Sequence, residues 1–357
     1  MTRSGADQGF WRDKRVLITG HTGFKGSWLT LWLTRLGAKV TGIALPPATT
    51  PSLFELAGID RLVVASHFTD VRDPVTLAST LHEARPEILF HLAAQPLVRH
   101  GYAHPVETFA TNVMGTVHVL DALRGCPSVR AAVMVTTDKV YANREWPWPY
   151  REDDALGGRD PYGASKAASE AAITAFRESY FVRGAIRIAS ARAGNVIGGG
   201  DWSADRLLPD AVRAWERGDT LAIRRPDAIR PWQHVVEPLW AYITLARRLW
   251  EGPACAESYN FGPAPGEATP VRHVVELARA AWGGRADITW EDTDQGPHEA
   301  GLLSLETSKA RRELGIVPRF PLPIAVQKTI GWHRQFSAGA SASELCHADI
   351  DAFEAAR

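Results

Sequence analysis

Cysteine is scarce in the 357-residue sequence, and neither sign of charge is in excess. The three cysteines, Cys126, Cys255 and Cys346, lie far apart and form no CxxC pair. A disulfide framework is therefore excluded, which is typical of a reducing compartment, and we expect no metal site. Lysine plus arginine and aspartate plus glutamate each number 40, and no dense basic run occurs. Bulk electrostatics therefore do not favour nucleic acid as a partner.

Long apolar runs are also absent. None reaches the ~18 residues that a membrane span needs. The segment from Met1 to Phe10 is polar and lacks the apolar centre of a signal peptide. We therefore expect a cytoplasmic protein with no membrane partner. With 45% hydrophobic residues, the chain has enough apolar side chains for one large core or two coupled lobes.

The first half of the chain alternates short apolar runs with longer helical patterns. Strands are predicted at Arg15–Gly20, Lys39–Leu45, Leu62–Phe68, Ile88–Ala94, Ala132–Thr136 and Ala185–Ala191. Helices are predicted at Phe24–Leu36, Val75–Glu83, Val106–Leu123 and Tyr162–Tyr180. Strands that alternate with helices form βαβ units, so the pattern predicts an α/β fold with a doubly wound parallel sheet of the Rossmann type.

After Gly194 the pattern becomes mainly helical, with short strand candidates at Ser258–Phe261 and Ile288–Trp290. We therefore predict a Rossmann domain over residues 12–195 and a smaller, mixed C-terminal lobe for substrate over residues 196–335. Small polar residues in Ser337–Ala342 are typical of a mobile linker. Residues 336–357 are accordingly expected to form a linker and a short tail helix.

A glycine-rich turn follows the first predicted strand and opens the first predicted helix. In it, Gly20 permits a tight turn, Gly23 lets the backbone approach a pyrophosphate, and Gly26 lets the helix pack closely on the sheet. The helix N-terminus adds unpaired N–H groups that favour an anion. The segment therefore predicts a dinucleotide site. Its expected contacts are Gly20, His21, Thr22, Gly23, Phe24 and Gly26.

The acidic residue that usually holds the cofactor ribose, about 20 residues further on, is missing. The second strand runs into Gly42–Pro47, which contains neither a carboxylate nor an arginine. The residues alone therefore leave the choice between NAD and NADP open. Asp70, after the third strand, is interpreted as a partner of the adenine amino group, with a cap of the local turn as the alternative.

Tyr162 and Lys166 stand four residues apart on a predicted helix, so both side chains lie on one face. A lysine ammonium beside a phenol favours the phenolate, as does an oxidised nicotinamide nearby. Such a tyrosine takes a hydroxyl proton near neutral pH, which a phenol with an ordinary pKa of about 10 does poorly. The pair therefore indicates a base for alcohol oxidation, although a Tyr–Lys pair alone is also common on helix surfaces.

The glycine turn, His91–Ala94, Asn112 and the Tyr162/Lys166 pair together resemble the extended short-chain dehydrogenase/reductases over residues 14–335. This resemblance implies that the cofactor is NAD, that Tyr162 is the base and that Lys166 also binds the nicotinamide ribose. Further cofactor contacts that it implies are Asp70, Val71, Leu92, Ala93, Ala94, Thr111 and Arg192.

Thr137, Asp138 and Lys139 follow the fifth predicted strand, at the sheet edge where ligands bind. Simple dehydrogenases and 4-epimerases of the family need only a Ser or Thr there, whereas an elimination also needs an acid and a base. Sugar-nucleotide 4,6-dehydratases of the family usually carry Ser/Thr-Asp-Glu. Lysine in the third place resembles the branch that acts on CDP-glucose. The alternative is a solvated Asp–Lys pair at a strand end.

Three longer segments resemble the same branch: Asn143–Trp148, Ala193–Trp202 and Arg230–Val235. The substrate contacts implied by this resemblance are Gln95, Asn112, Asn195, Arg206, Arg230, Gln233 and His298. Arginine suits a nucleotide diphosphate because its planar fork pairs with two phosphate oxygens. A surface or core position is the alternative for Arg206, Arg230 and His298.

The resemblance thus implies 4,6-dehydration of a nucleotide sugar, CDP-glucose, by a catalytic set of Thr137, Asp138, Lys139, Tyr162 and Lys166. Tyr162 would take the C4 hydroxyl proton, Lys139 or a water that it orients would take the C5 proton, and Asp138 would protonate the departing C6 oxygen. The alternatives are a 4-epimerase, another oxidoreductase of the family and a non-catalytic NAD-binding regulator. A homodimer or homotetramer is also implied, formed through the helices predicted at Val106–Leu123 and Tyr162–Tyr180.

Overall fold

A parallel sheet of seven strands forms the centre of the larger lobe. A computed structural model describes residues 9–182, 184–264, 266–291 and 300–356. In chain order the strands are β1 (Arg15–Thr19), β2 (Lys39–Ala44), β3 (Ala65–Phe68), β4 (Ile88–His91), β5 (Ala131–Val135), β6 (Arg187–Ala193), β7 (Val196–Ile197), β8 (Leu221–Ile223), β9 (Ile229–Arg230), β10 (Gln233–His234), β11 (Ser258–Phe261), β12 (Thr269–Pro270) and β13 (Ile288–Trp290). The central sheet has the order β3-β2-β1-β4-β5-β6-β11, and every neighbouring pair is parallel. The predicted doubly wound fold is confirmed.

Helices cover both faces of this sheet, as βαβ units require. In chain order they are α1 (Phe24–Arg35), α2 (Leu53–Leu56), α3 (Ile59–Leu62), α4 (Pro74–Ala84), α5 (Val98–Ala103), α6 (Pro105–Phe109), α7 (Gly115–Arg124), α8 (Pro161–Phe176), α9 (Leu207–Arg217), α10 (Val236–Glu251), α11 (Val271–Trp282), α12 (Ser308–Leu314), α13 (Leu322–Ser337) and α14 (Ala342–Ala355). A π-helical turn, Ala110–Met114, joins α6 to α7, and a second one, Arg177–Phe181, follows α8. No helix within the described ranges is both long and apolar enough to span a bilayer.

Apolar side chains fill the space on both faces of the sheet. On one face, α4, α7 and α8 bury Leu77, Leu120 and Ile173. On the other, α1 and α10 bury Trp28 and Leu245. All five residues of β5 are buried, because a strand in the middle of such a sheet is covered on both sides. The carboxyl ends of these strands therefore meet at one edge, beside the glycine turn.

The smaller lobe has a core of its own. Its helices α9, α11 and α13 pack together through Trp215, Val275 and Ile330, which are buried. The strand pairs β8–β13 and β9–β12, parallel and antiparallel respectively, complete it. The lobe thus mixes helices with short strands, as predicted.

The chain does not pass from one lobe to the other at a single boundary near residue 195. The strand predicted at Ser258–Phe261 forms, but it pairs with β6 at the edge of the central sheet. The helix α10 packs on β5 and β6 in the same way. Residues 196–335 are therefore not one separate lobe, because the chain returns to the larger lobe before it completes the smaller one.

The tail helix α14 packs on the larger lobe. Ile350 and Phe353 are fully buried in the core that α1 and α10 form. The ring of Phe353 meets that of Trp32 edge to face, with 5.7 Å between the centroids. The expected tail helix is present, but Ser337 still belongs to α13 and only the short turn 338–341 separates the two helices. This segment therefore joins two packed helices and is not an extended linker.

We expect Ile350→Ala to lower the free energy of unfolding by about 2–5 kcal/mol, because it leaves a cavity in a packed core. Ile324→Ala on α13 removes the same atoms from a side chain that is 39% exposed, and it serves as the matched control. That variant should cost under ~1 kcal/mol. Urea denaturation measures both values. Equal losses would contradict the packing of α14 on the larger lobe.

Candidate active site

The glycine turn between β1 and α1 has the backbone that the sequence predicted. Gly20 has a φ of +80°, and a Cβ on Gly26 would lie 2.0 Å from the Gly20 carbonyl oxygen. Both positions therefore exclude a side chain. A Cβ on Gly23 would meet nothing closer than 3.5 Å, so the turn is open here beside the N-terminus of α1. This geometry fits a pyrophosphate, which the helix N-terminus also favours.

The residue inside this turn, His21, points its ring away from the open side. The ring is fully buried, and its Nε2 lies 2.7 Å from the Ser66 hydroxyl on β3. Burial lowers the pKa of His21 to about 4, so the ring is neutral. A Cβ on Gly42 would lie 2.2 Å from the His21 ring, and β2 therefore needs glycine at this point. Only the backbone of His21 is left to contact a cofactor.

The ends of β1 and β4 are joined directly beside the turn. Thr19 Oγ1 accepts hydrogen bonds from the N–H groups of Leu92 and Ala93, both at 3.2 Å. The same hydroxyl lies 2.7 Å from Nδ1 of His91. The backbone of Ala93 lies close to Gly20, because a Cβ on Gly20 would be 2.7 Å from the Ala93 backbone nitrogen. The segment that includes the expected contacts Leu92, Ala93 and Ala94 therefore borders the turn.

Asp70 is engaged within its own turn. Its carboxylate lies 2.6 Å from an Arg72 guanidinium nitrogen and accepts the Arg72 backbone N–H at 2.8 Å. These hydrogen bonds lower the pKa of Asp70. The arrangement is the turn cap that the sequence left as an alternative, and an adenine contact for Asp70, Val71 or Thr111 stays a prediction.

A cavity of 360 Å³ lies at the carboxyl edge of the central sheet and extends to the smaller lobe. The larger lobe contributes four of the five predicted catalytic residues to its wall: Thr137, Asp138, Lys139 and Tyr162. Three of the predicted substrate contacts line it as well: Asn195, Arg206 and Arg230. The structure thus brings together, in one cavity, residues that are up to 93 positions apart in the chain.

Local contacts fix the start of α8, which carries Tyr162 and Lys166. The Asp160 carboxylate caps the helix by accepting the N–H groups of Tyr162 and Gly163, both at 3.0 Å. A Cβ on Gly163 would lie 2.9 Å from the Lys139 carbonyl oxygen, so only glycine lets the helix approach the 138–140 turn. One turn further on, Lys166 donates from Nζ to the Val135 carbonyl at 3.2 Å.

Burial dominates the electrostatics of this pair. It raises the pKa of Tyr162 to about 12, while the Thr137 hydroxyl and the Arg206 charge act to lower it and the Asp138 carboxylate acts to raise it. Burial also lowers the pKa of Lys166 to about 8, against the attraction of Glu170. The expected lowering of the phenol pKa by Lys166 is therefore not the main influence on Tyr162.

Asp138 has the surroundings of a proton donor. It is 2% exposed, and burial raises its pKa against the opposing charges of Lys139 and Arg230. Its Oδ1 accepts a hydrogen bond from Thr137 at 3.0 Å. Its Oδ2 is buried and has no hydrogen-bond partner in the part of the chain that the structure describes. Burial thus favours the protonated form of this carboxyl, which is the form that can give a proton to a leaving oxygen.

Arg192 was expected near the nicotinamide, and the structure corrects this. Its guanidinium is buried under α8 and pairs with Glu170 at 2.9 Å. It also donates to the Tyr141 hydroxyl at 3.0 Å and to the Glu152 carbonyl at 2.9 Å. Because a buried charge needs a partner of opposite sign, Arg192 neutralises Glu170 and does not face the cavity.

Asn112 and Gln95 are likewise occupied by the protein itself. Asn112, in the first π-helical turn and 1% exposed, accepts the Gln95 N–H at 2.8 Å and donates to the Gln95 carbonyl and to the Ser165 hydroxyl. The Gln95 side chain bonds Thr108 and the Leu97 N–H. These groups tie the loop after β4 to α8 and thereby position the site, and their contact with substrate stays a prediction.

The remaining expected substrate contacts divide into two groups. Arg206 is held by Asp201 at 3.0 Å, and Arg230 donates to the Ile229 carbonyl, both at the cavity wall. Gln233 is 5% exposed and donates to the Phe261 carbonyl, so it joins β10 to β11, and its contact with substrate stays a prediction. His298 lies outside the described residues.

Several cavity residues were missed by the sequence analysis, and one of them lies inside the glycine-rich turn. Lys25 is the second residue of α1, and its side chain reaches the cavity wall near Asp138 and Arg206. A lysine between the second and third glycines of the turn was the available signal, because a dinucleotide is expected beside this turn.

Most of the chain matches a known family of proteins. The family model described as GDP-mannose 4,6 dehydratase matches residues 17–336. The CDP-glucose 4,6-dehydratase of Salmonella typhimurium is 48% identical over 340 residues, which cover 93% of this chain and 94% of that relative.

Solved structures with a similar fold include a dehydratase and an epimerase. The dTDP-glucose 4,6-dehydratase of Streptomyces venezuelae has a TM-score of 0.78 at 23% identity, covering 90% of this chain and 98% of that one. The UDP-glucose 4-epimerase of Thermotoga maritima has a TM-score of 0.77 at 21% identity, covering 90% and 99%. This likeness concerns the fold alone, and it does not separate elimination from epimerisation.

We expect Arg192→Leu to lower the free energy of unfolding by about 3–5 kcal/mol, because it leaves the Glu170 carboxylate buried without a counter-charge. Arg206→Leu is the control, since the Arg206 side chain is 31% exposed and its ion pair should contribute under ~1 kcal/mol. Denaturant titration measures both losses. A small loss for Arg192→Leu together with a large loss of NAD affinity would restore its assignment as a cofactor ligand.

Proposed function

Because the chain belongs to the GDP-mannose 4,6-dehydratase family, we propose that it is a lyase that converts a nucleotide-activated hexose to its 4-keto-6-deoxy product with NAD. The proposed substrate is CDP-glucose, in line with the Salmonella relative and not with the description of the family. The observation that carries the proposal is the buried Asp138 carboxyl, which lines the same cavity as Tyr162 and has one oxygen without a hydrogen-bond partner among the described residues.

The residues present fit the cofactor. Gly20, Gly23 and Gly26 leave an open backbone at the N-terminus of α1, as a pyrophosphate requires. When bound, NAD would supply the oxidation at C4, the reduction at C6 and a positive charge that favours the Tyr162 phenolate. Lys166, buried beneath the cavity, would hold the ribose from the position that Val135 fixes.

The first task of the chain is to remove a proton from the C4 hydroxyl. Tyr162 is the group to do this, since it lines the cavity with Thr137 next to it. The pKa of about 12 keeps the phenol protonated until positive charge enters the cavity. This arrangement restricts the active phenolate to the complex with cofactor.

The second task is the elimination of water across C5 and C6. The C4 ketone acidifies the C5 hydrogen, which Lys139 or a water that it orients removes. Asp138 gives its proton to the C6 oxygen, which leaves as water. Lys139 would then return the proton to C5, together with the reduction that the cofactor would supply at C6. Because that reduction offsets the oxidation at C4, the cycle would consume no oxidant. Arg206 and Arg230 at the cavity wall would hold the diphosphate, together with Asn195.

A 4-epimerase is the main alternative, because it shares the fold and needs the same tyrosine and lysine. It has no use for a proton donor at C6. A regulator that only binds NAD would need neither Tyr162 nor Asp138 in the cavity. The role of Asp138 therefore separates the three functions.

We expect Asp138→Asn to slow elimination about 10²- to 10⁴-fold while C4 oxidation continues, because the amide keeps the size of the side chain and loses its acidic proton. In single-turnover mixing with CDP-glucose, the absorbance of reduced cofactor should rise and persist. In the unchanged enzyme it should be faint or brief.

Tyr162→Phe is the matched control, in which the same absorbance should not rise at all although NAD still binds. Chromatography of the products completes the experiment. An Asp138→Asn enzyme that forms the 4-keto-6-deoxy sugar at an unaltered rate would refute the role of Asp138. Formation of a C4 epimer by the unchanged enzyme would refute the proposed reaction.

We further propose that the chain forms a homodimer, or a homotetramer built from such dimers, through the α6–α8 surface. Exposed apolar side chains on this surface support the proposal: Val106 is 82% exposed, Met114 46% and Phe109 39%. A two-fold axis would bury them against their own copies.

Three buried free cysteines support a reducing compartment, the cytoplasm, as the location.

Sedimentation should find at least a dimer at micromolar concentration, and Val106→Glu should shift it towards monomer because a charge is then buried in the interface. Val75→Glu on α4 is the control, since Val75 is 77% exposed outside this surface. A monomeric unchanged protein, or an equal effect of both substitutions, would exclude this interface.

A further inference from the structure

An aspartate to which the proposed chemistry gives no task, Asp201, lies at the wall of the active-site cavity. Its side chain is 4% exposed. Its Oδ1 accepts the backbone N–H of Ser203 at 3.0 Å, and its Oδ2 pairs with the Arg206 guanidinium at 3.0 Å. The nearby His333 ring is neutral, because burial lowers its pKa to about 4. Among these neighbours, Arg206 is therefore the cation that balances the Asp201 charge.

The backbone that carries Asp201 is fixed between two helices. On one side, Trp28 of α1 donates from its indole nitrogen to the Gly199 carbonyl at 2.9 Å. On the other side, the Trp332 ring of α13 is so close that a Cβ on Gly199 would lie 2.0 Å from it. The ring of Trp202 meets that of Trp332 edge to face, with 5.8 Å between the centroids. Asp201 is therefore carried by a segment that tight packing holds in place.

Arg206 has no such support from packing alone. It directly precedes the first residue of α9, and its side chain is 31% exposed. A long side chain that is free to move must be ordered when it binds a ligand, and this cost weakens binding. The Arg206 charge acts to lower the pKa of Tyr162, so the guanidinium lies near the reacting end of the cavity. A diphosphate bonded to a hexose at Tyr162 would lie within reach of it.

Asp201 has two opposite effects on a diphosphate in this cavity. Its negative charge repels the phosphates, while its hydrogen bond holds the Arg206 side chain in one conformation for them. The Ser203 N–H and the guanidinium offset much of the charge. The bond to Asp201 uses Nη1 of a fork that has five N–H donors, so the other donors can serve the phosphate oxygens. We therefore expect the hold on Arg206 to be the larger effect.

We propose that Asp201 is a positioning residue, which holds the Arg206 guanidinium ready for the diphosphate of the substrate. This inference rests on the proposed function, since it takes Arg206 as a diphosphate contact. It adds a task for the segment that begins at Gly199, which links the packing of α1 and α13 to the affinity for substrate.

Calorimetric titration of cytidine diphosphate (CDP) into the full-length protein tests this proposal, because CDP carries the diphosphate without the hexose. Arg206→Leu should weaken CDP binding about 10- to 100-fold, the loss expected for hydrogen bonds to a charged group. Asp201→Asn should weaken it about 3- to 10-fold, the loss expected when one flexible side chain has to be ordered on binding. Its amide can still accept the Ser203 N–H. Circular dichroism and thermal unfolding establish that the variants are folded.

A double variant separates positioning from a general defect of the cavity. If Asp201 acts through Arg206, Asp201→Asn should change CDP affinity less than about 2-fold in an Arg206→Leu background, because the effects of coupled residues do not add. A general defect would weaken binding by the same factor in both backgrounds, and that result would overturn the proposal.

Asp205→Asn is the matched control, because it removes the same charge from the same cavity wall. Asp205 is 43% exposed and pairs with Arg99 at 3.6 Å. Its φ is +59°, a conformation that asparagine adopts as readily as aspartate. This variant should bind CDP as tightly as the unchanged protein, or more tightly. Equal weakening by Asp201→Asn and Asp205→Asn would contradict a specific task for Asp201.

Failure of this inference can be told apart from failure of the proposed function. If Arg206→Leu weakens CDP binding and Asp201→Asn does not, the inference is overturned and the proposed function stands. If the unchanged protein does not bind CDP, or if Arg206→Leu binds it normally, the proposed substrate contact is wrong and the inference falls with it.

Discussion

The buried ion pair between Glu170 and Arg192 determines where the reactive groups can lie. Glu170 stands one turn after Lys166 on α8 and also accepts hydrogen bonds from Thr136 and Ser190. Thr136 directly precedes Thr137 and Asp138, and Ser190 lies on β6 next to β5. A single carboxylate therefore ties the helix with the tyrosine to the strand end with the acid. Any shift of α8 would leave two charges buried without partners, which costs several kcal/mol.

Around this fixed frame, the cavity has more positive than negative charge. Lys25, Lys139, Arg206 and Arg230 line it, and the pKa of Asp138 is raised by burial. In the free protein this excess of positive charge adds to burial in lowering the pKa of Lys25. Two ligands that each carry a diphosphate would offset the excess. The same burial that raises the pKa of Asp138 also keeps the Tyr162 phenol neutral. The protonation of both groups therefore depends on the charge that the ligands bring into the cavity.

The sequence alone predicts those features that depend on residues close together in the chain. The glycine turn needs neighbouring residues, and Tyr162 and Lys166 share a helix face whatever packs against it. Arg192, Asn112 and Gln233 could not be interpreted in this way, because their partners are Glu170, Gln95 and Phe261, in other elements. A polar residue near a site looks the same in sequence whether it faces the ligand or holds the wall. The pairing of β11 with β6 was missed for the same reason, since no local pattern encodes a return to the first sheet.

The difference between elimination and epimerisation lies in a few atoms and not in the fold. Oxidation at C4 needs the tyrosine, the lysine and a dinucleotide, which the sheet edge of any member of this fold can position. Once a ketone exists at C4, the outcome depends on whether the C6 oxygen can leave before the ketone is reduced. That requires a proton for the C6 oxygen, and water, a much weaker acid than a carboxyl group, is a poor source of one. The Asp138 carboxyl, 2% exposed beside the glycine at position 194, is a group that can supply it there. Burial raises the pKa of this carboxyl and packing fixes its place, so the acid that we propose to select the reaction depends on the residues packed around it.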